Sequence, residues 1–228
     1  MNMSRQNPLD KGVNMLVKEA QEIIGHASGL GKPSKMPGHA TSLPASECNV
    51  GSKLRKIAGS VCAGCYAFRG NYGTPSVQKG LHRRLAAIDR PRWVEAMTFM
   101  IERYTNPADA YFRIHDSGDF QSVEHINRWV QIARQLPHVK FWAPSKEYAA
   151  VRKVKKATKD WPANLVIRMS APMLGVDGPK AWRRDGIPYS TVNHGDGHEC
   201  PAPTQDNECG DCRACWDATI TKIDYHKH

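Results

Sequence analysis

From residue 74 to residue 172 apolar residues recur at helical spacing, run together over five or six positions, and then resume the helical spacing. Thr74 offers an N-cap with Pro75 at the first helical position, and a second helical stretch from about Pro91 carries Val94, Met97, Ile101 and Tyr104 on one face. YFRIHD, residues 111–116, predicts a strand. Ser122 caps a helix striped by Val123, Ile126, Trp129, Val130, Ala133 and Leu136, which leads through Pro137 into a second strand, VKFWAP. Ser145 predicts the start of another helix, with Tyr148, Val151, Val154 and Trp161 inward and Arg152, Lys153, Lys155, Lys156 and Lys159 outward. LVIRMSA, residues 165–171, is the third strand of the series.

Strands that alternate with helices call for crossover connections, so the fold class is α/β: a partial (β/α) barrel or an open, mostly parallel sheet with helices outside. Four or five units are visible, fewer than the eight that close a barrel. Before them, residues 10–26 place Val13, Leu16, Ala20, Ile23 and Ile24 at helical spacing. The stretch 32–73 is rich in Gly, Pro, Ser and basic residues, with only Thr41 to Leu43 strand-like, and a loop of that length is usually functional. Beyond Met173 the chain reads as irregular up to a short helical or extended tail from Trp216. The expected organisation is a single domain over 1–228, with an N-terminal helix (1–31), a cysteine loop (32–73), the β/α units (74–172) and a Cys-rich C-terminal segment (173–228).

Charge narrows the partners. Thirty-two Lys and Arg against 22 Asp and Glu give a net charge of +10, which favours a polyanion such as nucleic acid. Neither a membrane span nor a secretory leader is readable, so a membrane is not expected as partner and the cytoplasm is the expected location. Thiols stay reduced there, and seven cysteines in tight groups then point to metal more than to disulfides.

The seven fall into two groups. Cys200, Cys209, Cys212 and Cys215 end in a C-x2-C-x2-C run, which suits the corners of a [4Fe-4S] cluster better than one tetrahedral zinc. Cys48, Cys62 and Cys65 supply only three thiolates and leave a metal position open for substrate or cofactor. The bland alternatives are structural zinc, completed at the first site by His39, His82 or His115, or unmetallated thiols. His194 and His198 flank Cys200 as surface residues or spare ligands.

Ligands of parallel α/β folds bind beyond the carboxyl ends of the strands. There the sequence places His115, Asp116, Ser117, Gly118 and Asp119, then Ser145, Lys146 and Glu147, and finally Arg168 and Ser170. Gly118 permits close backbone approach, and Asp119 can accept hydrogen bonds from an amino group. Ser145 and Ser122 read as ordinary turn and cap residues. Arg168, a charge within an apolar strand, is expected to pair with an acid or an anionic ligand.

Through SLPASECNVGSKLRKIAGSVCAGCYA, FRIHDSGDFQSVEH and CPAPTQDNECGDCRACW the chain resembles the bacteriophage gene product 88 family, from Leu43 onward. That resemblance implies a phage, prophage or plasmid setting, hence the host cytoplasm, and no established chemistry. More distantly the order of elements resembles the radical S-adenosylmethionine enzymes. This likeness implies that Cys48, Cys62 and Cys65 bind three irons of a cluster whose fourth iron chelates S-adenosylmethionine. Ser117, Gly118 and Asp119 would receive the cofactor, His115 and Arg168 would lie nearby, and the other four cysteines would hold an auxiliary cluster. The sequence departs from that family in the thirteen residues between Cys48 and Cys62 and in Gly64 before the last cysteine. An enzyme of this type needs an electron donor. Its rivals are a zinc-binding, non-catalytic nucleic-acid module and a host-interaction protein with redox-sensing clusters.

Overall fold

A computed structural model describes residues 15–227. Seven parallel strands form one open sheet: β1 (His39–Ala40), β2 (Tyr111–Arg113), β3 (Lys140–Ser145), β4 (Leu165–Ser170), β5 (Tyr189–Val192), β6 (His198–Glu199) and β7 (Lys222–Tyr225). Their spatial order is β1-β2-β3-β4-β5-β7-β6, so the chain order is kept except where β7 slips in beside β5 and leaves β6 at the edge. The α/β class and the parallel sheet follow the sequence pattern.

Seven α-helices accompany the sheet: α1 (Val17–Ile24), α2 (Gly51–Leu54), α3 (Pro75–Leu85), α4 (Trp93–Tyr104), α5 (Val123–Gln135), α6 (Tyr148–Ala157) and α7 (Lys180–Arg184). Pro75 opens α3, and the Ser122 hydroxyl accepts the His125 N–H at 3.0 Å to cap α5. On one sheet face Phe112, Phe141, Ala143, Leu165, Ile167 and Met169 join Met97, Ile101, Ile126, Trp129, Val151 and Val154 in the apolar core. Residues between them in β3 and β4, such as Trp142 and Val166, are buried too, on the opposite face. Burial on both faces explains the continuous apolar runs.

Several expectations change. The first strand is His39–Ala40, just ahead of the predicted Thr41 to Leu43. Ser145 ends β3 instead of opening α6, whose cap is Glu147. Trp161 lies beyond the end of α6, and Lys155, expected outward, sits over its ring at 5.1 Å with its ammonium pKa lowered by burial. The segment read as irregular between Met173 and Trp216 contains α7, β5 and β6, each of five residues or fewer, too short for periodicity to register, while β7 gives the tail beyond Trp216 its extended form. Of the predicted N-terminal helix, residues 10–14 lie outside the described residues. No helix among the described residues is long and apolar enough to cross a membrane.

Candidate metal and cofactor site

The long loop after β1 is stitched across the carboxyl ends of three strands. Beyond β2, the Leu43 carbonyl accepts the Ser117 hydroxyl at 2.9 Å, and the Leu43 N–H donates to the Ser117 carbonyl at 2.8 Å. Gly118, at φ +82°, passes so close under Leu43 that a Cβ would lie 2.6 Å from its Cβ. The close approach expected of a ligand is thus made by the chain itself. Beyond β3, Glu147 accepts the Val50 N–H at 3.0 Å. Beyond β4, the Val61 N–H donates to the Pro172 carbonyl at 2.9 Å and Ser60 bridges to Met173.

This stitching gathers Cys48, Cys62 and Cys65. A Cβ built on Gly51 would lie 3.7 Å from the Sγ atoms of both Cys48 and Cys62 and 3.0 Å from Cys48 Cβ. Burial pushes the Cys48 and Cys62 thiols up, and for Cys48 the neighbouring Asp119, Cys65, Cys62 and Glu147 push the same way. Bare thiols in this setting stay protonated; a bound cation is what turns such a group into thiolates. A Cβ at Gly64, between Cys62 and Cys65, would meet nothing within 4 Å, so the loop is open to solvent there.

Asp119 anchors the floor. Its carboxylate accepts the Ser145 hydroxyl at 2.7 Å, the Phe120 N–H at 2.7 Å and the Lys146 N–H at 2.8 Å. Burial raises its pKa to about 6 against the lowering pull of those bonds. Ser145, read from sequence as an ordinary cap, belongs to this network; only the fold brings it to Asp119, twenty-six residues away.

Other predicted residues sit differently. His115 is enclosed by Phe120, at 4.7 Å between ring centroids, and His125, with both ring nitrogens unbonded. Arg168 is fully buried and bonds no acid. Its guanidinium donates to the carbonyls of Tyr189, Ile220, Thr221, Ala214 and Asp217. The expected acid partner is therefore replaced by main-chain oxygens, three of them on the segment that follows the last cysteine.

That segment covers the sheet face opposite the helices. Trp216 packs against Tyr111 and Trp142, each at 5.2 Å between centroids, and donates its indole N–H to the Phe112 carbonyl at 3.1 Å. Cys200, Cys209, Cys212 and Cys215 gather above it: Cys209 is influenced by Cys200 and Cys212, and Cys215 by Arg168, Cys200 and Cys209. Burial raises the Cys215 thiol to about 12, although its Sγ lies 3.0 Å from the Tyr225 hydroxyl. His198 brings Nε2 to 3.6 Å from Cys212 Sγ, whereas His194 turns to Lys222 at 2.9 Å.

Among the described residues no three His, Cys, Asp or Glu side chains close tightly enough around one point to hold a single ion. Zinc requires such a point, with sulfurs about 2.3 Å from it, while a four-iron cube spreads its thiolates over separate irons. Arg168 brings its buried charge near Cys215 and the Asp217 carboxylate. A cleft of about 450 Å³ at the β6–β7 edge, lined by His194, Asp196, Glu199, Asp224 and His226, gave no signal in the sequence. Its carboxylates are already paired, Asp196 with Arg183 and Lys222, Glu199 with His226, and Asp224 with Thr191.

Among known families, the model described as Gene product 88 matches residues 11–218. No curated protein and no solved structure matches the chain.

Proposed function

The chain belongs to the gene product 88 family, and we propose that it is an iron–sulfur enzyme of the radical S-adenosylmethionine type. The observation that carries the reading is the group of three thiols, Cys48 and Cys62 at the Gly51 cradle with Cys65 close by, on a loop stitched to the carboxyl ends of β2, β3 and β4. Parallel α/β enzymes hold their substrates at these strand ends. Cys48, Cys62 and Cys65 would hold one four-iron cluster, and Cys200, Cys209, Cys212 and Cys215 a second. When bound, the first supplies one-electron chemistry at an iron without a protein thiolate, fed by an external low-potential electron donor.

The chain's own residues divide the remaining work. Asp119 has spent three of about four acceptor positions, so one is left for an ammonium donor of the cofactor. Ser117 and Gly118 hold Leu43 and thereby the start of the cysteine loop. Glu147 fixes Val50 beside the cradle. Arg168 supports the second site instead of the cofactor, and His115 is a buried packing residue.

The first test is an iron, zinc and acid-labile sulfide count, with a visible spectrum, on protein purified without oxygen. Brown protein with iron and sulfide for two four-iron clusters is the expected result; colourless protein with stoichiometric zinc removes the radical reading. Intact clusters that fail to cleave S-adenosylmethionine under strongly reducing, anaerobic conditions would leave an iron–sulfur protein without this chemistry.

A further inference from the structure

Residues 48–88 contain Lys53, Arg55, Lys56, Arg69, Lys79, Arg83 and Arg84 and not one Asp or Glu. In a chain with 22 acids, that stretch covers the cysteine loop from Cys48 onward and the helix after it, and the loop's one acid, Glu47, lies just before it. Arg83 and Arg84 are spent inside the fold, donating to the Gly25 and Ser42 carbonyls at 2.8 and 2.7 Å. Lys53, Arg55, Lys56 and Arg69 are exposed, and among the described residues none of them pairs with a carboxylate.

Aromatic rings lie among these cations. Arg55 stacks on Phe68 at 3.8 Å. Tyr66, next to Cys65, is 45% exposed, while its hydroxyl is held by the Asp116 carbonyl and by Arg113, so its ring is fixed in place. Exposed cations alternating with a fixed aromatic ring are what a flexible strand of phosphates and bases requires: neutralisation along the backbone and a stacking platform. The ring beside the basic face of α6, Trp161 under Lys155, is half-buried, and Arg152 is close enough to Asp185 to lower that carboxyl's pKa.

We propose that the basic, acid-free stretch of the cysteine loop from Cys48 onward binds a nucleic-acid strand, with phosphates on Lys53, Arg55, Lys56 and Arg69 and a base on Tyr66. The strand then crosses the opening at Gly64, between Cys62 and Cys65. This rests on the three-cysteine group being the reactive site, and it names that site's substrate class.

The test measures fluorescence anisotropy of a labelled single-stranded oligonucleotide, as DNA and as RNA, against the anaerobically purified full chain over a range of salt. Iron and sulfide are counted in every variant. K53E/R55E/K56E should weaken binding by at least about tenfold and flatten the dependence of log K on log salt by about two. R152E/K153E/K156E on α6 should stay within about twofold of the parent. Because a triple reversal can disturb the loop, Y66A should weaken binding several-fold while Y66F, which keeps the ring, binds like the parent.

No binding by the parent, equal losses in the loop and α6 variants, or an unaltered Y66A would each overturn the proposal. Tight, loop-dependent binding by protein without iron and sulfide would keep the nucleic-acid site and remove the iron–sulfur reading. Preference for the DNA or the RNA strand supports the proposal in either case and identifies the sugar.

Discussion

The two cysteine groups are held by opposite means. The first is a loop laid over the strand ends by main-chain hydrogen bonds, open at Gly64, with its cations facing solvent. The second lies on a largely exposed loop whose end alone is tied down: Trp216 packs on the sheet face opposite the helices, and the Arg168 guanidinium gathers five carbonyls around it. A site meant to receive a ligand needs an opening, whereas one meant to hold the structure together needs a buried anchor. On the proposed reading, loss of metal costs activity at the first and, at the second, the folding that Cys215 and its anchor support.

The sharpest break of that contrast is Cys215→Ser set beside Cys62→Ser. Metal bound at a structural thiolate site is folding free energy, so Cys215→Ser should destabilise by upwards of about 5 kcal/mol. Cys62→Ser should lower iron and sulfide with little change in the urea midpoint. Equal destabilisation by the two would erase the distinction.

Next in size is Arg168→Met, which removes a donor shared by five carbonyls, of which those of Ala214 and Thr221 keep a main-chain donor, and should cost about 3 kcal/mol. Its signature is early exposure of Trp216, read by tryptophan fluorescence. A variant as stable as the parent would show that the C-terminal segment is held by Trp216 alone.

Acid should act on the first region. His26 contacts the Thr41 hydroxyl at 3.2 Å at the head of the cysteine loop, and burial, helped by Arg84 and Arg83, lowers its pKa to about 3. The folded value lies below the ordinary 6.5, so the unfolded chain binds the extra proton; stability is complete above pH 6.5 and falls as the pH drops towards 3. Between pH 6.5 and 5 the loss should be about 2 kcal/mol. His26→Gln should flatten that part of the profile, and a profile with the parent's slope would place the titration elsewhere.

The smallest effect on stability belongs to Gly51→Ala. An alanine favours the helix, but its methyl would press on Cys48 at 3.0 Å. The unfolding midpoint should move by less than about 1 kcal/mol while iron at the first site falls. Unchanged iron would show that the cradle can spread.

The helical periods, Pro75 and Ser122 were legible because each α-helix from 74 to 172 is long enough to repeat its pattern, and the three residues of β2 because their apolar run stands between two such helices. The strands after Met173 were not, since four residues or fewer carry no period and β7 joins the sheet out of chain order. The two cysteine groups were legible from spacing alone, and so was the loop that carries three of them.

What the sequence by itself determined is the chemistry available: seven thiols in two sets, a basic loop with Glu47 as its one acid, and alternating helices and strands that call for a parallel α/β fold. Tertiary structure alone decided which side chains serve which set. Ser145 reached Asp119, Gly118 met Leu43 in place of a ligand, and Arg168 turned from an expected anion partner into the clamp of the C-terminal segment. The physical reason is that a buried polar group must find partners, and those partners are chosen by the folded neighbourhood, across separations in sequence that no local pattern records.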